Sequence, residues 1–362
     1  MDVLSSILRA AYCRSTHHYF AMDALPLVQT DAGRRLVGHL LRHHRRYLSG
    51  AIDPDVRFRD FQNHVVHVDE GYWGGAPRVA HRWYDRMLRY LRTDRFADAA
   101  HAAGVLSHYF TDPMQPLHTH SCDREAVIHR PLEWTVLQSY ESILADWKSD
   151  EMRVVFCLSD RSEWLGEAVL HGARFARHRL QRVLDDFDLA SAVRHPAQGL
   201  SPELRASMAE LFGIAITGWA RVIERAARDA ELSRGRELPQ AGWRSATFVA
   251  MLLAPLNLSK RRSRYAHEQQ SVEALYEEYA TRGRLRNHLP AEVDVVQRVV
   301  RIYQREKLWK SSRQVPQVAV GDETILKMDE AARTLSHRSG TPPNDTNTTA
   351  DTHTQTGGRR AA

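Results

Sequence analysis

One short segment of the chain concentrates side chains that bind metal ions. In His108-Tyr-Phe-Thr-Asp112 an imidazole and a carboxylate stand four residues apart. On a helix, positions i and i+4 share a face, so both can reach one ion. Pro113 follows at once and ends that helix, because the residue before a proline is pushed out of the α region. His118 closes the Pro-Met-Gln-Pro-Leu-His run, where the prolines stiffen the loop and fix the direction of the ring. His129 and Glu133 repeat the i, i+4 pairing, and Pro131 between them suits a helix that begins near residue 129. A single pair of this kind is ordinarily a solvated helix face. Two such pairs with a histidine between them, all within residues 108–133, read as a metal centre.

Softer candidates lie upstream. Gly50-Ala-Ile-Asp-Pro-Asp55 presents two carboxylates around a proline, which taken alone is turn chemistry. Asn63-His64-Val-Val-His67 supplies two histidines three apart, and either can serve as a ligand. His17-His18 opens a predicted helix, with Cys13 four residues before His17 as a candidate thiolate. Of the 20 histidines in the chain, 13 fall within residues 1–140, and neutral imidazole is a common metal ligand. Most of them lack ligand spacing, however. His39, His43, His44, His81 and His101 read as helix faces, and His120 as a surface or supporting residue.

These residues need a frame, and its period is helical. Residues 17–29, 31–48, 78–92, 95–112, 130–147, 163–187 and 202–231 are predicted helices, with Asp31 capping the second. Loops are expected over 49–76 and from 113 to about 128. No Val/Ile/Thr-rich alternation marks a strand, so the class is all-α. Residues 1–235 form the expected metal-binding domain. Residues 236–332 are an expected helical extension of unassigned role, with helices at 267–281 and 291–309. From about 333 to 362 aromatics vanish and Thr, Gly, Pro, Asn and Asp dominate, the composition of a disordered tail.

With 362 residues, 43% of them hydrophobic and 26% charged, the chain has the composition of a globular protein and excludes collagen-like and wholly disordered classes. Three cysteines, Cys13, Cys122 and Cys157, make no disulfide framework and fit a reducing compartment. The first ten residues lack the basic start and apolar core of a signal peptide, and no uninterrupted apolar run reaches about 18 residues. A cytoplasmic location is therefore expected. The longest apolar stretch, 246–258, is followed by Lys260, Arg261, Arg262 and Arg264, and the net charge is +6. A peripheral contact with an anionic membrane or another polyanion fits that pattern, as does a plain solvated surface.

The 108–118 string followed by His129-x3-Glu133 resembles the signature of the zinc-dependent phospholipase C family, whose architecture is shared by single-strand-specific zinc nucleases. Asp55, the Asn63-His64 segment, His17 and the later Ser162-Glu-Trp-Leu stretch fall in the family's order, so the resemblance spans roughly residues 13–230. It implies an α-helical domain with two to three zinc ions. One would be held by Asp55, His64 or His67, His108 and Asp112. A second would be held by His118, His129 and Glu133. A third would be bridged by Asp112 and held by His17, completed in the family by an N-terminal tryptophan. This chain departs there, since no tryptophan precedes Trp73.

The implied activity is hydrolysis of a phosphodiester, of a phospholipid or a related phosphoester. Zinc neutralises phosphate oxygens and acidifies water, and a bridging carboxylate such as Asp112 suits ions ~3.5–4 Å apart. Asp55 is the expected general base. The mixed nitrogen and oxygen donors favour zinc over manganese or iron. A nuclease acting on single strands is the second reading, and would need an aromatic platform such as Tyr72-Trp73, which could equally wall a choline-like cation. A zinc-stabilised helical module without catalysis is the third. No protein partner is expected.

Overall fold

Small residues decide how the centre of the molecule is packed. Helix α6 (Phe96–Thr111) buries Ala99, Ala100, Ala102, Ala103 and Gly104 within two turns, leaving almost no side-chain bulk in that part of the helix. Helix α4 (His44–Asp53) lies against it. A Cβ at Gly50 would collide with the carbonyl oxygen of His101, and one at Gly104 with that of Tyr47. The two backbones therefore touch directly. This close approach brings the end of α4 beside His108, on the last turn of α6.

The computed structural model describes residues 3–149, 154–242 and 254–305. Before α4 come α1 (Val3–Tyr12), α2 (Thr16–Asp23) and α3 (Asp31–Arg42). After it come α5 (Ala76–Arg92), α6, α7 (Asp123–Gln138), α8 (Tyr140–Ser149), α9 (Trp164–Asp186), α10 (Leu189–Arg194) and α11 (Pro202–Arg234). Two further helices, α12 (Ala254–Arg282) and α13 (Ala291–Arg305), belong to the C-terminal extension. Among the described residues there is no strand, only an isolated bridge between His67 and Trp73, and the fold is all-α.

Helix α11 is the axis of the core. It packs against α3, α8 and α9 and buries Phe212, Ile216 and Trp219. The Trp219 indole N–H donates to the Tyr47 hydroxyl at 2.7 Å, and that hydroxyl donates to the Ala21 carbonyl at 2.8 Å, so α11, α4 and α2 are tied by one buried chain. By length and composition α11 could cross a membrane, but most of its apolar window is buried among the other helices.

Several predicted boundaries move. The 17–29 helix ends at Asp23, and a separate 3₁₀ turn, Leu25–Leu27, follows around Pro26. The 31–48 helix breaks at His43, whose φ of −108° and ψ of 30° separate α3 from α4. The expected loop from residue 49 is helical to Asp53 and continues as a π turn, Pro54–Phe58, closed by Arg59 in the left-handed region. Helix α7 begins at Asp123, so Pro131 lies in its interior rather than in its first turn. The apolar stretch 246–258 lies largely outside the described residues, as do the tail from 333 to 362 and the end of the 291–309 helix.

The packing of α4 on α6 yields a stability test. Gly50→Ala should lower the unfolding free energy by about 1–3 kcal/mol, the usual cost of overpacking, read as a reduced urea midpoint. An unchanged midpoint would show that the two backbones have room to part.

Candidate metal centre

Ligand-type side chains from α2, the Pro54–Phe58 turn, the turn after Phe61–Asn63, the end of α6, the Pro116–Thr119 turn and α7 come to one place. Ser15 caps α2, its hydroxyl accepting the His18 N–H at 3.2 Å. His18 is then used structurally: its Nε2 donates to the Leu48 carbonyl at 3.0 Å and its Nδ1 accepts from the Arg14 N–H at 3.1 Å. The neighbouring His17 turns the other way, into a cavity of about 820 Å³ that Asp55, His64, Asp112, His118, His129 and Glu133 also line.

Asp112 stands at the centre. One of its oxygens lies 2.9 Å from His64 Nδ1, 3.1 Å from His118 Nδ1 and 3.5 Å from His108 Nε2. The other lies 3.4 Å from His17 Nε2. Asp55 approaches from the π turn, 3.5 Å from both His64 Nδ1 and His108 Nε2, and 3.9 Å from His17 Nε2. On the far side of Asp112, Glu133 lies 3.4 Å from His129 Nε2 and 3.7 Å from His118 Nε2. Among the described residues three groups thus form: His17, His108 and Asp112; Asp55, His64 and His108; and His118, His129 and Glu133, with donor atoms in each within 4.8 Å of one another.

Outer partners aim these rings. His108 Nδ1 donates to the Ala51 carbonyl at 3.0 Å, which leaves Nε2 to face Asp55 and Asp112. His129 Nδ1 donates to Glu125 at 2.6 Å, which leaves Nε2 facing Glu133. Asp60 stands 3.5 Å from His64 Nε2 and accepts the Tyr109 hydroxyl at 2.7 Å. A carboxylate or carbonyl behind the imidazole fixes the tautomer and raises its basicity toward a metal.

The electrostatics favour an inserted cation. Burial opposes a charge on His64, but the close carboxylates of Asp112 and Asp60 outweigh that and push its pKa up to about 10. Burial is likewise outweighed at His118 by Asp112 and Glu133, which raise it to about 9. His17 goes the other way: burial and the charge of His108 lower it to about 4, against the pull of Asp112 and Asp55. Burial also works against the charge of Asp112, yet His118 and His108 hold that carboxyl well below the usual carboxylate range. With protons as the only cations, imidazolium groups compensate the buried carboxylates. His118 Nδ1 and Nε2, His129 Nε2 and Asp112 Oδ2 are nonetheless buried without an aligned hydrogen bond. Close-set nitrogen and oxygen donors in that state fit zinc.

The structure separates the two histidines that the 64–67 segment left open. His64 joins the groups. His67 Nδ1 instead pairs with Glu70 at 2.8 Å beside Trp73, and His67 stands in none of them. Cys13 does not join either. The chain breaks helix between Tyr12 and Thr16, so Cys13 and His17 do not share a face, and the thiol donates to the His18 carbonyl at 3.5 Å. Asp53 turns away from Asp55, accepting from His101 at 2.7 Å and Arg57 at 3.0 Å. Tyr72 is held by Arg174, and Trp73 packs against a small apolar cluster; neither lines the cavity. His120 has Glu70 at 3.9 Å and also stands outside the groups.

Glu125 and Asp60 were not anticipated. Glu125 had a signal: Glu125, His129 and Glu133 run at i, i+4 and i+8, one face of α7 with the histidine between two carboxylates. Asp60 has the same relation to His64, but across a 3₁₀ turn rather than a helix, so its spacing says little. Glu292, at the start of α13, also lines the cavity.

No family model matches the sequence, and no curated protein matches it. Among solved structures, the chain is similar to the alpha toxin from Clostridium absonum, at 16% identity and a TM-score of 0.45. The similarity covers 60% of this chain and 64% of that one, so the chain spans less than two thirds of the toxin's length.

Two measurements test the centre. His64 and His118 have folded pKa values of about 10 and about 9, above that of an unfolded histidine. Their contribution to stability is therefore fully present below about pH 6.5 and is lost as pH rises through the folded values. The urea midpoint of chelator-treated protein should fall between about pH 7 and about pH 9, and a flat or rising midpoint would contradict the assignment. Glu125→Gln should weaken zinc binding about 10–100-fold in competition with a chromophoric chelator, because it removes the negative charge behind His129 that raises the ring's basicity.

Proposed function

We propose that the chain is a zinc-dependent phosphodiester hydrolase of phospholipase C type, acting on a phospholipid or a related phosphoester. The observation that carries this reading is the convergence of three His/carboxylate groups, joined through Asp112 and His108, on one cavity. Adjacent cation sites of this kind suit an anionic ester whose attacking and leaving oxygens both need charge stabilised. His118, His129 and Glu133 would hold one zinc ion, and Asp55, His64, His108 and Asp112 a second. His17 with Asp112 would hold a third only with further ligands. Bound zinc supplies neutralisation of the phosphate and acidification of water.

The side chains divide the remaining work. Asp112 is 5% exposed and encircled by imidazoles, so it positions His17, His64, His108 and His118 rather than exchanging protons with solvent. Asp55 is 41% exposed on the cavity side, within reach of water, and accepts the proton of the attacking water at its carboxylate. Phe61, Val65, Phe212 and Met208 supply apolar walls for the organic part of the ester. The nuclease reading loses support because Tyr72 and Trp73, its expected stacking platform, lie outside the cavity.

The zinc-loaded chain should hydrolyse a chromogenic phosphocholine ester, lose that activity to a chelator and regain it with zinc. Asp55→Asn should reduce turnover about 10²–10⁴-fold, the usual loss when a general base is removed. Full activity in that variant would exclude Asp55 as the base. Zinc binding without hydrolysis of any phosphodiester would leave a structural zinc module.

A further inference from the structure

The C-terminal extension, whose role its composition leaves open, builds one side of the cavity. Tyr265 and Glu268 of α12 and Glu292, Val293 and Val296 of α13 line it, together with Met208, Phe212 and Ala215 of α11. Three contacts fasten this wall to the metal-binding helices. Arg130, next to His129 on α7, donates to Glu268 at 2.8 Å. The Trp134 and Tyr265 rings lie 4.8 Å apart. Val296 and Val300 are buried against Phe61 and Val65, in the segment that carries His64. The turn between the two helices is fixed as well. Glu278 accepts backbone N–H groups from Arg286 and Asn287 at 3.1 Å and from His288 at 2.9 Å.

We propose that α12 and α13 select the substrate: they wall the cavity so that it takes a phosphoester free in solution, its organic part held between α11 and α13, and excludes one embedded in a bilayer. This rests on the phosphodiesterase reading above. The physical reason is recess. The His64, His108, His118 and His129 rings and the Asp112 carboxylate are each buried, inside a cavity that α12 and α13 help to line. A dissolved ester can enter such a cavity whole, whereas a lipid phosphate stays tethered at its bilayer surface. The cavity of about 820 Å³ lies within the range of small-molecule sites, about 300–1,000 Å³.

The test uses the full zinc-loaded chain and two forms of one headgroup. One is a short-chain glycerophosphodiester below its micelle concentration, and the other is its long-chain form in phosphatidylcholine vesicles. Wild type should turn over the soluble ester at least tenfold faster than the vesicle form. Val296→Asp, which places a charge in the apolar seam, and Glu268→Ala, which breaks the milder surface tie, should each narrow that ratio, the first at least tenfold. Zinc content and helical circular dichroism check that both variants are folded. A binding arm runs beside the rates, with a non-hydrolysable phosphonate of the soluble ester and vesicle co-sedimentation. Wild type should bind the phosphonate and stay off vesicles, and the opened variants should sediment with them. Equal wild-type rates on both forms would overturn the proposal, as would an unchanged ratio in folded variants. Hydrolysis of neither form would overturn the phosphodiesterase reading alone. The wall would then be judged by the binding arm, where loss of phosphonate binding or sedimentation of wild type with vesicles would refute it.

Discussion

A carboxylate can stay ionised in the middle of a helical protein only if positive charge or N–H donors surround it. Asp112 is that carboxylate here, and much of the arrangement around it follows from the need to compensate it. Four imidazoles, from α2, the turn after Phe61–Asn63, α6 and the Pro116–Thr119 turn, point at its two oxygens. Each imidazole is in turn a constraint on the element that bears it. The Ser15 cap, the bond from His108 to the Ala51 carbonyl and the Asp60–Tyr109 pair behind His64 are the local solutions. A ring of that kind satisfied by protons alone leaves buried donor atoms without aligned bonds, and divalent cations resolve the same imbalance with fewer protons.

The close contact of α4 with α6 is the second requirement, because it sets where Asp55 emerges. Glycines at 50 and 104 and the alanines between them let the helices meet at backbone distance. That contact places the Pro54–Phe58 turn over His108. It also separates the two acids of the Asp-Pro-Asp segment: Asp53 is absorbed into a buried pair with His101, while Asp55 faces the cavity.

Much of this was legible in the sequence. The 108–133 string stated its own geometry, since i, i+4 spacing is a local property: Asp112 caps α6 one turn after His108, His129 and Glu133 lie on α7, and His118 sits in a turn between them. The choice between His64 and His67 was not legible, because no helical period governs that segment; both rings line the cavity, but His67 is taken up by Glu70 while His64 meets Asp55 and Asp112. Nor was the fate of Cys13, which depends on a break in the chain at residues 13–15 that Ser15 caps. Pro131 misled about the start of α7, for an interior proline is tolerated where tertiary contacts hold both halves of the helix. The wall formed by α12 and α13 was hidden for a different reason. Its contacts join residues more than a hundred positions apart, such as Arg130 with Glu268, and periodicity carries no information about such pairs.

The central claim is that the groups around Asp112 are a multinuclear zinc centre, and counting metal tests it most directly. The chain, purified without chelator and dialysed against metal-free buffer, should retain about two to three zinc ions by elemental analysis. Asp112→Asn should lower that number without unfolding the helices. Less than one zinc per folded wild-type chain would contradict the account.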